Sequence, residues 1–129
     1  MILLVDDEEG VLEICRDLLE RYGYQAATAR SGEEALEVYR KEGGAIDLVF
    51  LDLHMPGMGG RRCMQALLDI NPGLRVVVAT GDAYGEDAKE ALEMGAVRFV
   101  PKPYRLTDML EAVKESLAVR EPGIRMRSC

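Results

Sequence analysis

The stretch "VFLDLHMPGMGG", residues 49–60, has the pattern of a strand followed by a turn. It runs from apolar residues to a single carboxylate, Asp52, and then into a turn rich in proline and glycine. A short apolar run bounded by such a turn is typical of a buried β-strand. An aspartate at the end of that strand is either a turn former or a nucleophile, because both roles are common for this side chain. The rest of the sequence has to distinguish the two roles.

Other short apolar segments repeat this pattern along the chain. Together they predict five strands, over residues 2–5, 25–29, 46–51, 74–79 and 97–100. After the first strand, apolar residues recur at helical spacing, at Val11, Ile14, Cys15, Leu18, Leu19 and Tyr22. Later helices are predicted over residues 32–41, 61–70, 86–94 and 106–119. Ser31 and Glu34 form a capping-box pattern at the start of the second helix.

Strands that alternate with helices predict an α/β fold. Neighbouring parallel strands need crossover connections, and the crossover helices cover both faces of the sheet. Strands buried on both faces are apolar along their whole length, as these segments are. The sequence therefore predicts one domain with a doubly wound parallel sheet, for which 2-1-3-4-5 is a common strand order.

Composition excludes several classes of function. The chain has 129 residues, of which 48% are hydrophobic, and a formal net charge of −7. A surface of that charge does not attract nucleic acid or anionic lipid, so neither is an expected partner. No apolar run approaches the roughly 20 residues needed to span a bilayer, and the N-terminus lacks a signal-peptide pattern, which predicts a cytoplasmic protein. The three cysteines lack metal-ligand spacing and are expected to be reduced thiols.

Polar residues that follow the predicted strands carry the chemistry. They are Asp6, Asp7, Asp52, Thr80 and Lys102. Because the carboxyl ends of parallel strands meet at one edge of the sheet, these residues are expected to converge. Clustered carboxylates repel one another and offer the oxygen ligands that suit Mg²⁺ or Mn²⁺. With a lysine and a hydroxyl beside it to meet phosphoryl oxygens, Asp52 is predicted to be the nucleophile of a phosphoryl transfer.

Four motifs in this order resemble the receiver domain of bacterial two-component response regulators. They are "LLVDDE" (3–8), "VFLDLHMPGMGG" (49–60), "VVVATG" (76–81) and "FVPKPY" (99–104). The resemblance covers residues 2–117. It implies a flavodoxin-like (βα)5 domain in which Asp52 accepts a phosphoryl group from a phosphohistidine. Such a domain would be a signalling domain and not an enzyme.

The resemblance also implies roles for the residues around the phosphoacceptor. Asp7 and Asp52 would bind Mg²⁺ directly and Asp6 largely through water, while the backbone carbonyl of His54 would be the third protein ligand. Thr80 and Lys102 would hold the phosphoryl group.

Thr80 and Phe99 would form the switch. Phe99 matches the aromatic side chain that turns inward when Thr80 moves toward the phosphoryl group, and the change would reach the surface formed by the fourth helix, fifth strand and fifth helix. The Lys102–Pro103 bond would be cis.

The expected domain organisation is a receiver domain over residues 1–119 followed by a C-terminal tail, residues 120–129, which has the Pro/Gly break and polar character of a frayed end. A free-standing receiver and a receiver within a larger regulator or hybrid kinase both remain open. The implied partner is a sensor histidine kinase or a histidine phosphotransfer domain, with a downstream effector that the sequence does not identify. The expected oligomeric state is a monomer or a weak, phosphorylation-dependent dimer.

Three other functions fit the sequence less well. A flavin-binding module needs a phosphate loop after the first strand, whereas four acids, residues 6–9, would repel the flavin phosphate. A Mg²⁺-dependent phosphatase with an aspartate nucleophile resembles a D-x-D pattern, which Asp52-Leu53-His54 lacks. A receiver that only binds partners would not need Asp52, Asp7, Thr80 and Lys102 together.

His54 is the only histidine in the chain. The simplest interpretation is an exposed loop side chain, since the metal contact implied by the resemblance uses the main-chain oxygen. A narrower hypothesis is that the imidazole, together with Asp82, controls the access of water to the aspartyl phosphate and thus its lifetime.

Overall fold

The computed structural model describes residues 1–81 and 85–118. Its strands are β1 Ile2–Val5, β2 Ala26–Ala29, β3 Leu48–Asp52, β4 Arg75–Thr80 and β5 Arg98–Pro101. Its helices are α1 Glu9–Arg21, α2 Gly32–Glu42, α3 Gly59–Ile70, α4 Glu86–Met94 and α5 Leu106–Leu117. A 3-10 turn, Gly43–Ala45, follows α2 and has no counterpart in the sequence prediction.

The strands form one parallel sheet in the order β2-β1-β3-β4-β5, which confirms the predicted flavodoxin-like fold. Val5 lies beside Leu51 in the register of β1 and β3, and Asp52 lies beside Ala79 in that of β3 and β4. The ends of β1, β3 and β4 are therefore aligned along one edge, so that residues following them lie close together.

Predicted and observed boundaries agree to within two residues in the described part of the chain. Asp52 and Thr80 are the last residues of β3 and β4, whereas the sequence prediction placed each just after its strand. The last helix is described to Leu117, and Val119, with which its prediction ended, lies outside the described residues. The predicted tail, residues 120–129, also lies outside them.

Two hydrophobic layers cover the two faces of the sheet. Val49 and Leu51 of β3 belong to one layer, and Leu48 and Phe50 belong to the other, because successive side chains of a strand point to opposite faces. Residues from α2, α3 and α4 complete the first layer, and residues from α1 and α5 complete the second. Burial on both faces explains why the three central strands, β1, β3 and β4, read as continuous apolar runs.

Helix α1 buries a narrower stripe than its apolar pattern suggests. Leu12, Cys15 and Leu19 are buried, but Ile14 and Tyr22 are each 54% exposed. Residues 12, 15 and 19 are spaced by three and four positions and so share the helix face that meets the sheet. Apolar spacing alone did not identify which edge of the stripe is covered.

Cys15 and Cys63 are unpaired and buried, as expected for reduced thiols. Cys129 lies outside the described residues. Among residues 1–81 and 85–118, every helix is too short or too polar to cross a lipid bilayer.

At the second helix, the side-chain oxygen of Ser31 accepts a hydrogen bond from the Glu34 backbone N–H at 3.1 Å. This contact satisfies one of the free donors at the helix start, as the capping-box pattern predicted.

Candidate functional site

Three carboxylates meet at the carboxyl edge of the sheet. Asp6 and Asp7 directly follow β1, and Asp52 ends the neighbouring β3. A carboxylate oxygen of each lies within 4.8 Å of the others. Asp6 is 5% exposed and Asp52 is 2% exposed, so the cluster is largely shielded from water. The parallel register of β1 and β3 brings together acids that are 45 residues apart in sequence.

Burial and mutual repulsion make this cluster costly to keep fully charged. Burial, and to a smaller degree the negative charge of Asp52, raises the pKa of Asp6 to about 6. The hydrogen bond that Asp6 Oδ1 accepts from the Glu8 backbone N–H at 2.9 Å acts in the opposite direction. Oxygen-only donors in a crowded, mostly buried acidic cluster fit a hard divalent cation such as Mg²⁺ or Mn²⁺.

Lys102 joins this cluster from the end of β5. Its Nζ donates a hydrogen bond to Asp52 Oδ2 at 3.1 Å, and its backbone N–H donates to the Thr80 carbonyl at 2.8 Å. Burial lowers the pKa of Lys102, but its hydrogen bond to Asp52 and the nearby negative charges outweigh this effect and raise the pKa overall. The ammonium group therefore stays charged beside the carboxylate. The Lys102–Pro103 peptide bond is cis, as the resemblance implied.

The loop after Asp52 wraps closely around that residue. The His54 backbone N–H donates to Asp52 Oδ1 at 3.0 Å, and the Gly60 N–H donates to the Leu53 carbonyl at 3.1 Å. A Cβ atom on Gly60 would lie 2.3 Å from the Asp52 carbonyl oxygen, so only glycine fits there. The second glycine of "MGG" fits the pattern of a turn in the sequence, whereas its main constraint in the structure is this backbone contact.

Thr80 is fully buried at the end of β4. Its Oγ1 lies 3.4 Å from His54 Nε2, which itself lies 3.4 Å from Asp87 Oδ2 at the start of α4. The His54 side chain is 54% exposed, so the expectation of an exposed loop side chain is confirmed, although the ring also contacts two polar groups. Asp82, the other residue of the water-access hypothesis, lies outside the described residues.

Phe99 lies on β5 in register with Val78 of β4. Its side chain is partly buried and packs against the hydrophobic layer that α4 helps to cover. This position is next to the strand that ends in Thr80.

Two groups near the site were not identified from the sequence. Arg61 forms ion pairs with Asp87 at 2.7 Å and with Glu90 at 3.0 Å, and so joins α3 to α4. Tyr104 makes an edge-to-face contact with Phe50 at 5.6 Å between ring centroids, and burial raises the pKa of its hydroxyl. Exposed charges and isolated aromatic residues carry no spacing signal that would have indicated either contact.

Comparison with known proteins gives one consistent result. The family model "Response regulator receiver domain" matches residues 2–114. Sporulation initiation phosphotransferase F of Bacillus subtilis is 35% identical over 121 residues, which cover 92% of this chain and 94% of that protein. Sensor histidine kinase RcsC of Salmonella typhi is 38% identical over 97% of this chain but only 13% of its own length.

A solved structure agrees with these sequence matches. The crystal structure of the CheX-CheY-BeF3-Mg+2 complex from Borrelia burgdorferi contains a chain that aligns with a TM-score of 0.85 and 28% identity. The alignment covers 92% of this chain and 89% of the other.

Proposed function

The chain belongs to the response regulator receiver domain family, and on that premise we propose that Asp52 accepts a phosphoryl group from a phosphohistidine in a Mg²⁺-dependent reaction. The observation that carries the proposal is the contact of Asp52 with Lys102 inside a cluster of three carboxylates. Receiver domains of two-component systems are phosphoacceptors, and these residues supply a nucleophile, a fixed positive charge and a set of oxygen ligands.

In the proposed reaction, a carboxylate oxygen of Asp52 attacks the phosphorus atom of the donor. The O–P bond forms as the P–N bond of the phosphohistidine breaks, and the electron pair of that bond passes to the imidazole nitrogen of the donor. Lys102 neutralises charge on a phosphoryl oxygen, since its ammonium group already lies 3.1 Å from the nucleophile. The backbone N–H of His54 fixes the orientation of the Asp52 carboxylate.

The acidic cluster supplies the cation site of this proposal. Asp7, Asp52 and the His54 carbonyl would hold Mg²⁺ or Mn²⁺ directly, and Asp6 would hold it largely through water. When bound, the cation supplies positive charge that offsets the repulsion between the carboxylates and an incoming phosphoryl group. Burial, and to a smaller degree the charge of Asp52, raises the pKa of Asp6, so a nearby positive charge would favour its ionised form.

Phosphorylation is proposed to act through Thr80 and Phe99. The new dianion offers acceptors to the Thr80 hydroxyl, and movement of Thr80 opens space for Phe99 to turn inward. The surface formed by α4, β5 and α5 then changes. The change is a population shift between two conformations, so its size depends on how differently the phosphoryl group interacts with each of them.

The proposed partners follow from the chemistry of the donor. A sensor histidine kinase or a histidine phosphotransfer domain would supply the phosphohistidine in the cytoplasm, and a downstream effector would recognise the changed surface. We assign residues 1–119 to the receiver domain and residues 120–129 to a tail. The domain would assist its own phosphorylation and dephosphorylation without acting on any other substrate.

Intact-mass analysis after incubation with acetyl phosphate tests this proposal. With Mg²⁺ the protein is expected to gain one phosphoryl group, and Asp52→Ala is expected to gain none. Asp17→Ala removes an exposed aspartate from α1 and serves as a matched control that should behave like the unmodified protein. A chelator should abolish the adduct. An adduct that persists in Asp52→Ala would contradict the assignment of the phosphoacceptor.

A further inference from the structure

We propose that Arg61, Asp87 and His54 form a latch that holds Thr80 in the resting conformation of the domain. The latch joins the start of α3, the loop after β3 and the first turn of α4. This inference rests on the proposed function, because the conformation that it opposes is the one in which Thr80 meets a phosphoryl group on Asp52. Its members act on that reaction through Thr80 and are therefore positioning residues.

The inner part of the latch is the imidazole of His54. Nε2 lies 3.4 Å from Asp87 Oδ2 and 3.4 Å from Thr80 Oγ1. A carboxylate only accepts hydrogen bonds, so an attractive contact with Asp87 requires that Nε2 carry the ring proton. The same N–H then points between Asp87 Oδ2 and Thr80 Oγ1, and the Thr80 hydroxyl oxygen accepts a hydrogen bond from it.

The outer part of the latch is the guanidinium group of Arg61. Nη2 lies 2.7 Å from Asp87 Oδ1 and 3.0 Å from Glu90 Oε2. Asp87 thus uses one oxygen for Arg61 and the other for His54, which fixes the plane of its carboxylate. Glu90 lies almost one turn further along α4, so that Arg61 contacts two successive positions on one face of this helix.

The packing of α4 makes these polar contacts important. The buried residues of α4 are two alanines, Ala88 and Ala91. Met94, the last residue of α4, is partly buried against the same hydrophobic layer. Because the hydrophobic contribution scales with the apolar area removed from water, two methyl groups and a partly buried methionine hold this helix less firmly than several large buried side chains would. Ion pairs that would matter little on a well-buried helix therefore contribute a larger share of the force that positions α4.

Activation and the latch compete for the same hydroxyl group. If Thr80 moves toward a phosphoryl group on Asp52, it leaves the imidazole of His54. Each contact that orients His54 then favours the resting conformation. Exposed ion pairs contribute little individually, so removing Arg61 should raise the affinity for a phosphoryl analogue by about two- to fivefold.

Fluoroberyllate, a phosphoryl analogue, allows this competition to be measured. We would titrate the protein with fluoroberyllate in the presence of Mg²⁺ and follow backbone amides by ¹H–¹⁵N NMR. Arg61→Ala and Asp87→Ala are expected to bind about two- to fivefold more tightly than the unmodified protein. Arg61→Lys should fall between Arg61→Ala and the unmodified protein, because it keeps the charge but loses the planar fork. Arg62→Ala removes the same charge from the next residue of α3 and should leave the affinity unchanged.

A second readout uses the variant in its free form, with the resting and fluoroberyllate-saturated spectra of the unmodified protein as references. In the free protein, the amide signals of Thr80 and of residues 86–90 in Arg61→Ala should lie between their resting and fluoroberyllate-saturated positions. Signals at the resting positions together with unchanged affinity would overturn the latch, as would a loss of affinity in Arg61→Ala.

The failure of the proposed function gives a different pattern. In that case the unmodified protein would show no fluoroberyllate-dependent shifts and no phosphoryl adduct. If only the latch is wrong, the unmodified protein would still show the fluoroberyllate-dependent shifts and the phosphoryl adduct. Arg61→Ala and Arg62→Ala would then bind fluoroberyllate with the same affinity.

Discussion

Helices α4 and α5 both contact β4 and β5, but they are held in different ways. Helix α5 buries five side chains: Met109, Leu110, Ala112, Val113 and Ser116. Helix α4 buries two alanines and is joined to α3 by the ion pairs of Arg61. The two helices cover opposite faces of the same part of the sheet, so the comparison isolates the effect of side-chain packing.

The difference indicates which helix can move at low cost. Displacing α5 exposes several large apolar side chains to water, whereas displacing α4 exposes two methyl groups and the partly buried Met94, and breaks ion pairs that water can replace. Helix α4, which lies next to the end of β4, is therefore the helix whose displacement costs less free energy. This agrees with a signalling mechanism in which Thr80 at that terminus changes its contacts.

Truncation of a core residue in α5 should have the largest effect on stability. Met109 is fully buried, and Met109→Ala should lower the free energy of unfolding by about 2–5 kcal/mol because it leaves a cavity. Leu92→Ala in α4 removes a side chain that is 39% exposed and should cost about 1 kcal/mol or less. Urea denaturation followed by circular dichroism measures both values. Equal losses of unfolding free energy in the two variants would contradict the proposed difference in packing between α4 and α5.

Gly60→Ala tests the close backbone contact between the start of α3 and the end of β3. Helix α3 carries Arg61, and a Cβ at residue 60 would meet backbone atoms of Asp52 and Leu53 within 2.4 Å. Backbone must shift to relieve this contact, and the expected cost is about 1–3 kcal/mol. Gly44→Ala places a Cβ in open space and serves as the control. If both variants unfold at the same urea concentration as the unmodified protein, the close approach at Gly60 does not constrain the loop.

The buried side of α3 gives a pH-dependent prediction. Burial raises the pKa of Cys63 to about 11, from an ordinary value of 9.0, and its thiol donates to the Gly32 carbonyl at 3.8 Å. The unfolded chain therefore releases this proton at lower pH than the folded one, so stability should fall as pH rises from 9 toward 11. Between pH 8.5 and 10, the unmodified protein should lose about 1 kcal/mol more than Cys63→Ala in urea denaturation. The opposite order would contradict the sign of the pKa shift.

The smallest effect on global stability is expected at the exposed side of α3. Arg61→Ala should lower the free energy of unfolding by about 1 kcal/mol or less, and 0.5 M NaCl should reduce the difference because salt screens exposed ion pairs. Hydrogen exchange should nevertheless become faster in α4 and remain unchanged in α5. Uniformly faster exchange in both helices would show that Arg61 supports the whole domain and not α4 alone.

Much of this fold could be predicted because the three central strands, β1, β3 and β4, are buried on both faces. Continuous apolar segments then mark the strands, and their alternation with helices fixes the parallel topology. The acidic cluster followed from the same argument, since residues after parallel strands share one edge. The burial pattern of α1 could not be predicted in detail, because apolar spacing does not say that Ile14 and Tyr22 lie beyond the covered stripe.

The strand order 2-1-3-4-5 is implied by the resemblance to receiver domains. The α/β class of the fold and the convergence of polar residues at one edge of the sheet could be inferred from the residues themselves: Asp6, Asp7, Asp52, Thr80 and Lys102. These features depend on hydrophobic periodicity and on the geometry of parallel strands, both of which are local or topological. The contacts that hold α4 and the groups that surround Thr80 depend on how the helices and loops pack, and they could be seen only in the folded chain. Arg61 and Asp87 are 26 residues apart, and charged residues on exposed helix faces are common, so their pairing depends on the relative placement of two helices and leaves no pattern in the sequence.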